Sequence, residues 1–258
     1  TRTLADQTAW YSMHAAGFWG RNAVSLEAIP WLPLHNLAQT ATALLEGDGA
    51  GDWPTADAAF TWYAETGWRI DAAGSSLFEE RDDFPHDIGT IRARLQNLYL
   101  QNLSRIGTRF SDLLAANPGS LAGRPTAGEH ARNLLETGTD PVVFIFLDAL
   151  RYELGERLAA FLNEGQASPR ATVFAARAPL PSITPVGKPF VLPVSSASVQ
   201  VDYTGDGTVT SHVDGYDGNV SIAEAWRGWF RQAHGVKQIC TIDGVLSGNV
   251  KRPSKANQ

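Results

Sequence analysis

An uninterrupted apolar run at residues 142–147, with the sequence Val-Val-Phe-Ile-Phe-Leu, constrains the fold more than any other feature of this chain. β-branched and aromatic side chains without polar alternation are typical of a strand that is covered on both faces, and such strands occur in parallel sheets. The run is also far shorter than the roughly 18 apolar residues that would indicate a membrane-spanning helix. It therefore predicts a central parallel strand, and we expect no membrane partner.

The residues after this run predict a strand, a helix and a second strand. Apolar residues within 149–163 recur at helical spacing and are followed by Gly165, and residues 171–176 form the second strand-like run. A connection of this length is typical of a right-handed crossover between two parallel strands. The remaining predicted elements are a hairpin at 198–203 and 208–213, a helix at 222–233 and a strand at 236–242.

The first half of the chain differs, because its apolar residues recur at helical spacing. The clearest stripe runs from Ile88 to Leu114, and the Asn-Pro-Gly sequence at 117–119 ends it. The composition then shifts towards Gly, Pro, Thr and Ala. We therefore expect an α/β protein that consists of an all-helical domain at residues 1–117, a linker at 118–139 and a parallel-sheet α/β domain at 140–258.

Charge and cysteine content narrow the functional classes. The chain carries 21 Lys and Arg against 27 Asp and Glu, a net charge of −6, which provides no general electrostatic attraction to nucleic acid or anionic lipid. A phosphate-bearing partner must therefore bind at a local site. Cys240 is the only cysteine, which excludes an internal disulfide and a cysteine-based zinc site, and a cytoplasmic location is the simpler interpretation.

Two polar residues that follow the predicted parallel strands are candidates for chemistry. Asp148 directly follows the apolar run, at the sheet edge where ligands of α/β proteins bind. A carboxylate there can bind a metal, hold a base or cap the next helix. Thr184 follows the second strand and precedes Pro185, a pairing typical of a helix start. Its hydroxyl suits an anion or nucleophile site, or a simple helix cap.

These segments resemble the PglZ domain, a branch of the alkaline phosphatase superfamily found in bacteriophage-exclusion (BREX) defence systems. Residues 144–153, which end in Asp-Ala-Leu-Arg-Tyr-Glu, are similar to the family's first strand and its motif. Residues 180–187, which begin Leu-Pro-Ser-Ile-Thr, are similar to the family's loop of that sequence, and residues 62–71 resemble more loosely the helical region before the domain. The resemblance implies a partial alkaline-phosphatase-like parallel sheet in residues 140–258.

The resemblance also implies a function, that of a metal-dependent phosphoesterase of phosphodiesterase or nuclease type in phage defence. In this interpretation Asp148 is a metal ligand, and Thr184 is the nucleophile or a metal-bridging ligand. The implied cofactor is a divalent metal, Zn²⁺ or alternatively Mn²⁺. The implied substrate is DNA or a nucleotide, and the implied partners are other proteins of the defence system.

The sequence departs from the family pattern after Thr184. The family supplies further metal ligands from an Asp-His-Gly motif, which this sequence lacks, and the only later histidines are His212 and His234. We therefore expect the chain to stop before the remaining ligands and, taken alone, to bind metal weakly. The alternative function is a scaffold that docks other components of the defence complex and has no catalytic activity.

Overall fold

The computed structural model describes residues 2–17, 31–46, 51–78, 86–138, 142–235 and 239–247. The chain divides into two compact units, each built from two stretches of sequence. The helical unit consists of Thr1–Gly123 and Ala149–Ala175, and the mixed unit consists of Arg124–Asp148 and Ala176–Gln258. Residues 149–175, predicted as part of the sheet domain, thus group with the N-terminal helices.

The described part of the helical unit consists mainly of helices. A π-helix, Tyr63–Gly67, connects two of them, and a 3₁₀ turn, Ser76–Phe78, follows the second. The long helix predicted from Ile88 is confirmed. The α-helices are α1 (Arg2–Asp6), α2 (Thr8–Ala16), α3 (Trp31–Glu46), α4 (Ala56–Trp62), α5 (Trp68–Ser75), α6 (His86–Ala116) and α8 (Tyr152–Asn163).

The core of the helical unit lies between α3, α5 and α6. Leu44, Ile70 and Leu95 are buried together there, and Tyr99 packs beside them. Gly74 lets the Tyr99 ring approach α5, because a Cβ atom at Gly74 would lie 2.3 Å from that ring. Each fully buried aliphatic side chain contributes about 2 kcal/mol. The apolar stripe of α6 therefore supplies much of the energy that holds these helices together.

The mixed unit combines short helices with one hairpin. Strands β1 (Val199–Tyr203) and β2 (Val209–Val213) pair antiparallel with Val199 opposite Val213, which confirms the predicted hairpin. The helices are α7 (Ala127–Thr137), α9 (Thr184–Gly187), α10 (Ala223–His234) and α11 (Ile242–Leu246), with 3₁₀ turns at Lys188–Val191 and Ser196–Ser198. The core cluster of this unit consists of Leu192, Val213, Val220, Trp229 and Phe230.

The protein is mixed α/β, as expected, but its sheet content is small. Among the described residues the sheet is the two-stranded β1–β2 hairpin, and neither 142–147 nor 171–176 is paired in it. A strand requires a neighbour for its backbone hydrogen bonds, and neither segment has such a neighbour in a sheet within the part of the chain that the structure describes. Of the predicted strand 236–242, residues 236–238 lie outside the described residues, and Ile242 begins α11 instead.

The predicted linker 118–139 contains an ordered helix, α7. Its start is a capping box, in which Thr126 accepts a hydrogen bond from the Glu129 N–H and Glu129 accepts one from the Thr126 N–H. The local hydrogen bonds of such a box stabilise a helix start even where the composition is typical of a loop. In the described part of the chain, no helix combines the length and apolar character needed to span a bilayer.

Candidate functional site

Residues 142–147 form an extended segment that leads to Asp148. In the described part of the chain its backbone makes no hydrogen bond. Phe146 packs against α10, with ring centroids 4.6 Å from Trp226 and 5.5 Å from Phe230. The alternate side chains are exposed, since Val143 retains 84% of its accessible surface. The segment is therefore supported along one side and open along the other.

Asp148 occupies a tight, strained turn at the end of this segment. Its side chain is exposed, and the next residue, Ala149, has a φ of 58° in the left-handed region. That conformation costs an alanine about 1 kcal/mol or more, so it persists only where surrounding structure imposes it. Helix α8 begins at Tyr152 with Arg151 at the N-cap position, so Asp148 is not the N-cap residue of that helix.

Thr184 is the first residue of α9, and its side chain is exposed. The N-cap position belongs to Ile183, which makes no side-chain capping bond. Pro185 follows, and α9 lasts for four residues before the 3₁₀ turn that contains Pro189. A proline inside a helix removes a backbone hydrogen bond, so Pro189 agrees with the short length of this helix. Thr184 therefore presents a hydroxyl to solvent at the start of a single helical turn.

The turn that carries Thr184 is fixed to the hairpin and to α10. The side chain of Val186 is buried, and the Ser211 hydroxyl of β2 donates to the Pro185 carbonyl at 3.3 Å. The indole N–H of Trp226 donates to the Lys188 carbonyl at 3.2 Å. These contacts come from elements that already form the core of the mixed unit. The turn that carries the exposed Thr184 hydroxyl is thus held in place by contacts with the core of the mixed unit.

A polar junction holds the start of α7 to the loop after residues 171–176. Arg177 donates from Nε to the Arg124 carbonyl at 2.6 Å and from a terminal nitrogen to the Ser196 hydroxyl at 3.1 Å. Burial opposes ionisation of Glu129, but hydrogen bonds from Thr126 and Ser196 and the charge of Arg177 lower the pKa of its carboxyl to about 2. Sequence reasoning missed this junction, although the Thr-x-x-Glu spacing at residues 126–129 signals a capping box.

A second polar group, which we call the tyrosine cluster, lies in the helical unit and consists of Tyr63, Asp71, Tyr99 and Glu153. The Tyr63 hydroxyl donates to Asp71 Oδ2 at 2.5 Å, and the Tyr99 hydroxyl donates to Asp71 Oδ1 at 3.0 Å. Burial raises the pKa of both tyrosines well above the usual value, and the charges of Asp71 and Glu153 raise it further. Both phenols therefore remain protonated donors.

Glu153 is the most deeply buried carboxylate of this cluster. Its side chain is 1% exposed, and its Oε1 lies 2.7 Å from Nε of Arg151. That contact is an ion pair without the alignment of a hydrogen bond. Residues 62–71 and 148–153 were the segments that carried part of the family resemblance. The sequence did not reveal that they supply members of one buried cluster.

The candidate metal ligands are few. Among the residues that the structure describes, no three His, Cys, Asp or Glu side chains are grouped as a metal site. His212 lies within β2 opposite Gln200, and His234 is the last residue of α10. Asp148 and Thr184 offer one carboxylate and one hydroxyl, whereas a catalytic zinc ion takes about three protein ligands. The described residues therefore do not fit a complete Zn²⁺ or Mn²⁺ site.

Comparisons with known proteins identified no relative of this chain. No protein-family model, no curated protein and no solved structure matches the chain. The resemblance to the PglZ domain consequently depends on the residues quoted for it, which are 144–153, 180–187 and, more loosely, 62–71.

Proposed function

We propose that this chain supplies part of the catalytic centre of a metal-dependent phosphoesterase in a phage-defence system. The observation that supports the proposal best is the turn at Asp148, where an exposed carboxylate precedes a left-handed alanine. Strained backbone of this kind is concentrated at functional sites, where the strain holds a side chain in a required direction. The resemblance assigns a metal-binding role to the same carboxylate.

Thr184 is the second residue of the proposed centre. Its hydroxyl is exposed on a rigid turn, as a nucleophile or a bridging ligand needs to be, and it belongs to the same unit as Asp148. Two oxygen donors do not complete a metal site, so the proposal includes further ligands from residues other than those described. DNA or a nucleotide is the proposed substrate class, and the cytoplasm is the proposed location.

The test is hydrolysis of bis(p-nitrophenyl) phosphate by the full protein with added Zn²⁺ or Mn²⁺. We expect Asp148→Ala to lose bound metal and activity together, and Thr184→Ala to lose activity. Thr184→Ser keeps a hydroxyl at the same position and should retain measurable turnover. Asp217→Ala and Thr172→Ala, which remove exposed side chains of the same types elsewhere, should leave hydrolysis unchanged. Full activity of Thr184→Ala would contradict the proposal.

A scaffold is the second candidate function, and a specific observation favours it. Large apolar side chains are exposed on two elements, with Ile145 at 69% in the extended segment and Phe161 at 71% on α8. Each unit therefore exposes at least one large apolar side chain of the kind that a partner protein can cover. If purified full protein neither binds metal nor hydrolyses a phosphodiester, and if Ile145→Lys abolishes its assembly with other defence proteins, the scaffold is the better description.

A further inference from the structure

The short helix α9 is followed by a proline at a position where an α-helix needs a donor. The N–H of Lys188 donates to the Thr184 carbonyl, as an α-helix requires. The next bond of the same ladder would run from the N–H of residue 189 to the carbonyl of Pro185. Residue 189 is a proline, which has no N–H, so it cannot supply this bond.

The Pro185 carbonyl instead receives a hydrogen bond from β2. The Ser211 hydroxyl donates to it at 3.3 Å. The backbone of Lys188 is helical, with φ −51° and ψ −48°, so an N–H on residue 189 would point towards the same carbonyl oxygen. The Ser211 hydroxyl therefore takes the place of the N–H that Pro189 lacks.

Ser211 is a polar residue on the buried face of β2. It is fully buried, and Val213, which lies two residues further along the same face, belongs to the core cluster of the mixed unit. A buried hydroxyl is unfavourable unless it forms a hydrogen bond. An apolar residue is the usual occupant of such a position, so the carbonyl of Pro185 accounts for the serine.

The backbone of Ser211 is held by the loop between β2 and α10. Its N–H donates to Asn219 Oδ1 at 2.9 Å, and its carbonyl accepts from the Val220 N–H at 2.8 Å. Asn219 Oδ1 also accepts from the Ser221 N–H at 3.1 Å, and Val220 is buried in the core. These bonds come from residues outside α9 but within the same unit. The hydroxyl donor is therefore fixed by contacts that do not depend on α9.

We propose that Ser211 is a positioning residue, whose hydroxyl replaces the N–H that Pro189 lacks and thereby fixes the turn that presents Thr184. The pairing of Ser211 with Pro189 stands on hydrogen-bond geometry alone. The part that concerns Thr184 rests on the proposed function, in which the threonine hydroxyl needs one direction to act as a nucleophile or bridging ligand. That direction follows the backbone of the turn, because a threonine side chain has few staggered rotamers.

A double-mutant cycle between Ser211 and Pro189 tests the pairing by urea unfolding of the full protein. In the parent, Ser211→Ala removes the donor to the Pro185 carbonyl, so the folding equilibrium constant should fall about tenfold. Pro189→Ala restores an N–H at residue 189, and in that background Ser211→Ala should lower the constant less than twofold. The packing that Pro189→Ala itself removes is common to both arms of the cycle and cancels.

Ser221→Ala is the matched control, because the Ser221 hydroxyl donates to Asn219 Oδ1 at 2.7 Å within the loop. Its effect should add to that of Pro189→Ala. Additive effects of Ser211→Ala and Pro189→Ala would overturn the proposal, as would a loss of less than twofold for Ser211→Ala in the parent. If Ser211→Ala folds too weakly to be measured, Ser211→Cys keeps a side chain of similar shape with a weaker donor and completes the cycle.

Hydrogen exchange shows whether the effect is local to the turn. We expect Ser211→Ala to raise exchange at the Lys188 amide at least tenfold more than at the amide of Phe230, which is buried on α10. Adding Pro189→Ala should reduce this difference, since it restores a bond within the turn. An equal rise at both amides would indicate a general loss of stability and would overturn the positioning role.

Kinetics with bis(p-nitrophenyl) phosphate and added Zn²⁺ or Mn²⁺ test the part that concerns Thr184. Ser211→Ala should lower kcat at least tenfold and change KM less than twofold, because a displaced hydroxyl weakens the transition state rather than substrate binding. Adding Pro189→Ala should recover most of the lost kcat, and Ser221→Ala alone should leave both constants unchanged. An unchanged kcat for Ser211→Ala would overturn this part. If the parent hydrolyses nothing, the proposed function fails, and the unfolding cycle still decides on the pairing.

Discussion

In the helical unit, Leu95 is 1% exposed within the stripe of α6, whereas Val143 in the extended segment 142–147 is 84% exposed. Both stretches are apolar, and they differ in how their backbone N–H and C=O groups form hydrogen bonds. A helix forms its hydrogen bonds within itself and needs only one partner for its apolar face. A strand needs neighbours for its backbone as well. An apolar segment of β type therefore depends more on the rest of a protein than an amphipathic helix does.

The two units also differ in how they use charge. In the helical unit Asp71 accepts hydrogen bonds from two tyrosine hydroxyls, and the buried Glu153 forms an ion pair with one arginine. In the mixed unit, Glu129 joins a helix start to a loop through backbone N–H groups. The first arrangement joins helices to each other, and the second holds a loop to the start of a helix. The predictions below test these contrasts, beginning with the largest expected effect.

Truncation of apolar side chains should give the largest difference in stability between the two regions. Leu95→Ala leaves a cavity between α3, α5 and α6, and we expect it to lower the free energy of unfolding by about 3 kcal/mol. Ile145→Ala in the exposed segment should change it by less than about 0.5 kcal/mol. Urea unfolding followed by circular dichroism measures both. A loss of similar size for Ile145→Ala would show that the segment is covered in solution.

Removal of the arginine beside the buried glutamate should have the next largest effect. Arg151→Met leaves the charge of Glu153 buried without its cation, and we expect a loss of about 2 kcal/mol, less than for a fully buried pair because Arg151 is half-exposed. Adding Glu153→Gln should recover most of that loss. Arg132→Met, which breaks the exposed pair with Glu136, is the control and should cost less than about 0.5 kcal/mol. Equal losses of stability for Arg151→Met and Arg132→Met would contradict the expectation that an arginine paired with a buried carboxylate contributes more than one in an exposed pair.

The capping box of α7 should make stability depend on pH in an acidic window. The pKa of Glu129 is lowered to about 2 in the folded protein from 4.5, so its contribution is present above pH 4.5 and is lost as the pH falls towards 2. We expect a loss of about 2 kcal/mol across this window, after allowance for solvent screening.

Glu129→Gln should remove this part of the pH dependence, and Glu136→Gln, an exposed carboxylate on the same helix, should leave it in place. Urea unfolding at pH 5 and at pH 3 measures the difference for each variant. The hydrogen bonds assigned to Glu129 are refuted if the parent and Glu129→Gln lose the same stability between these two pH values.

A charge on the open side of the extended segment should have the smallest effect on stability. Val143→Lys places a cation at an exposed position and should change the free energy of unfolding by less than about 0.5 kcal/mol. It should nevertheless reduce self-association of the protein, because exposed apolar segments of β type promote edge-to-edge pairing. Static light scattering at increasing protein concentration measures this. Gln200→Lys, at an exposed position of β1, is the control and should not reduce association.

Elements whose signals are local were predictable. The stripe beginning at Ile88 identified α6, and the two neighbouring runs at 198–203 and 208–213 identified the β1–β2 hairpin, because both signals depend on residues close in sequence. Helix α7 was also predictable in principle, but the Gly- and Pro-rich composition around it obscured the pair Thr126 and Glu129. The predicted parallel sheet remains a proposal, since pairing between distant strands is not encoded in either strand alone.

The candidate site was predictable in part for the same reason. Asp148 and Thr184 could be identified from their positions after apolar runs and from the resemblance, and both are exposed in the structure. The left-handed backbone of Ala149 gave no signal, because alanine has no preference for that conformation. The sequence also gave no sign that Glu153 is buried. A glutamate in the first turn of a helix is usually solvated and interacts favourably with the helix dipole.

The sequence by itself determined the long helix α6, the hairpin and the chemical character of the exposed residues, because periodicity and turn chemistry act over short distances. Tertiary structure alone decided that Tyr63, Asp71, Tyr99 and Glu153 lie together, and that Arg177 and Glu129 join a loop to a helix. Such contacts depend on which helix faces pack together, and their energies become large only when packing excludes water and removes the screening of charge.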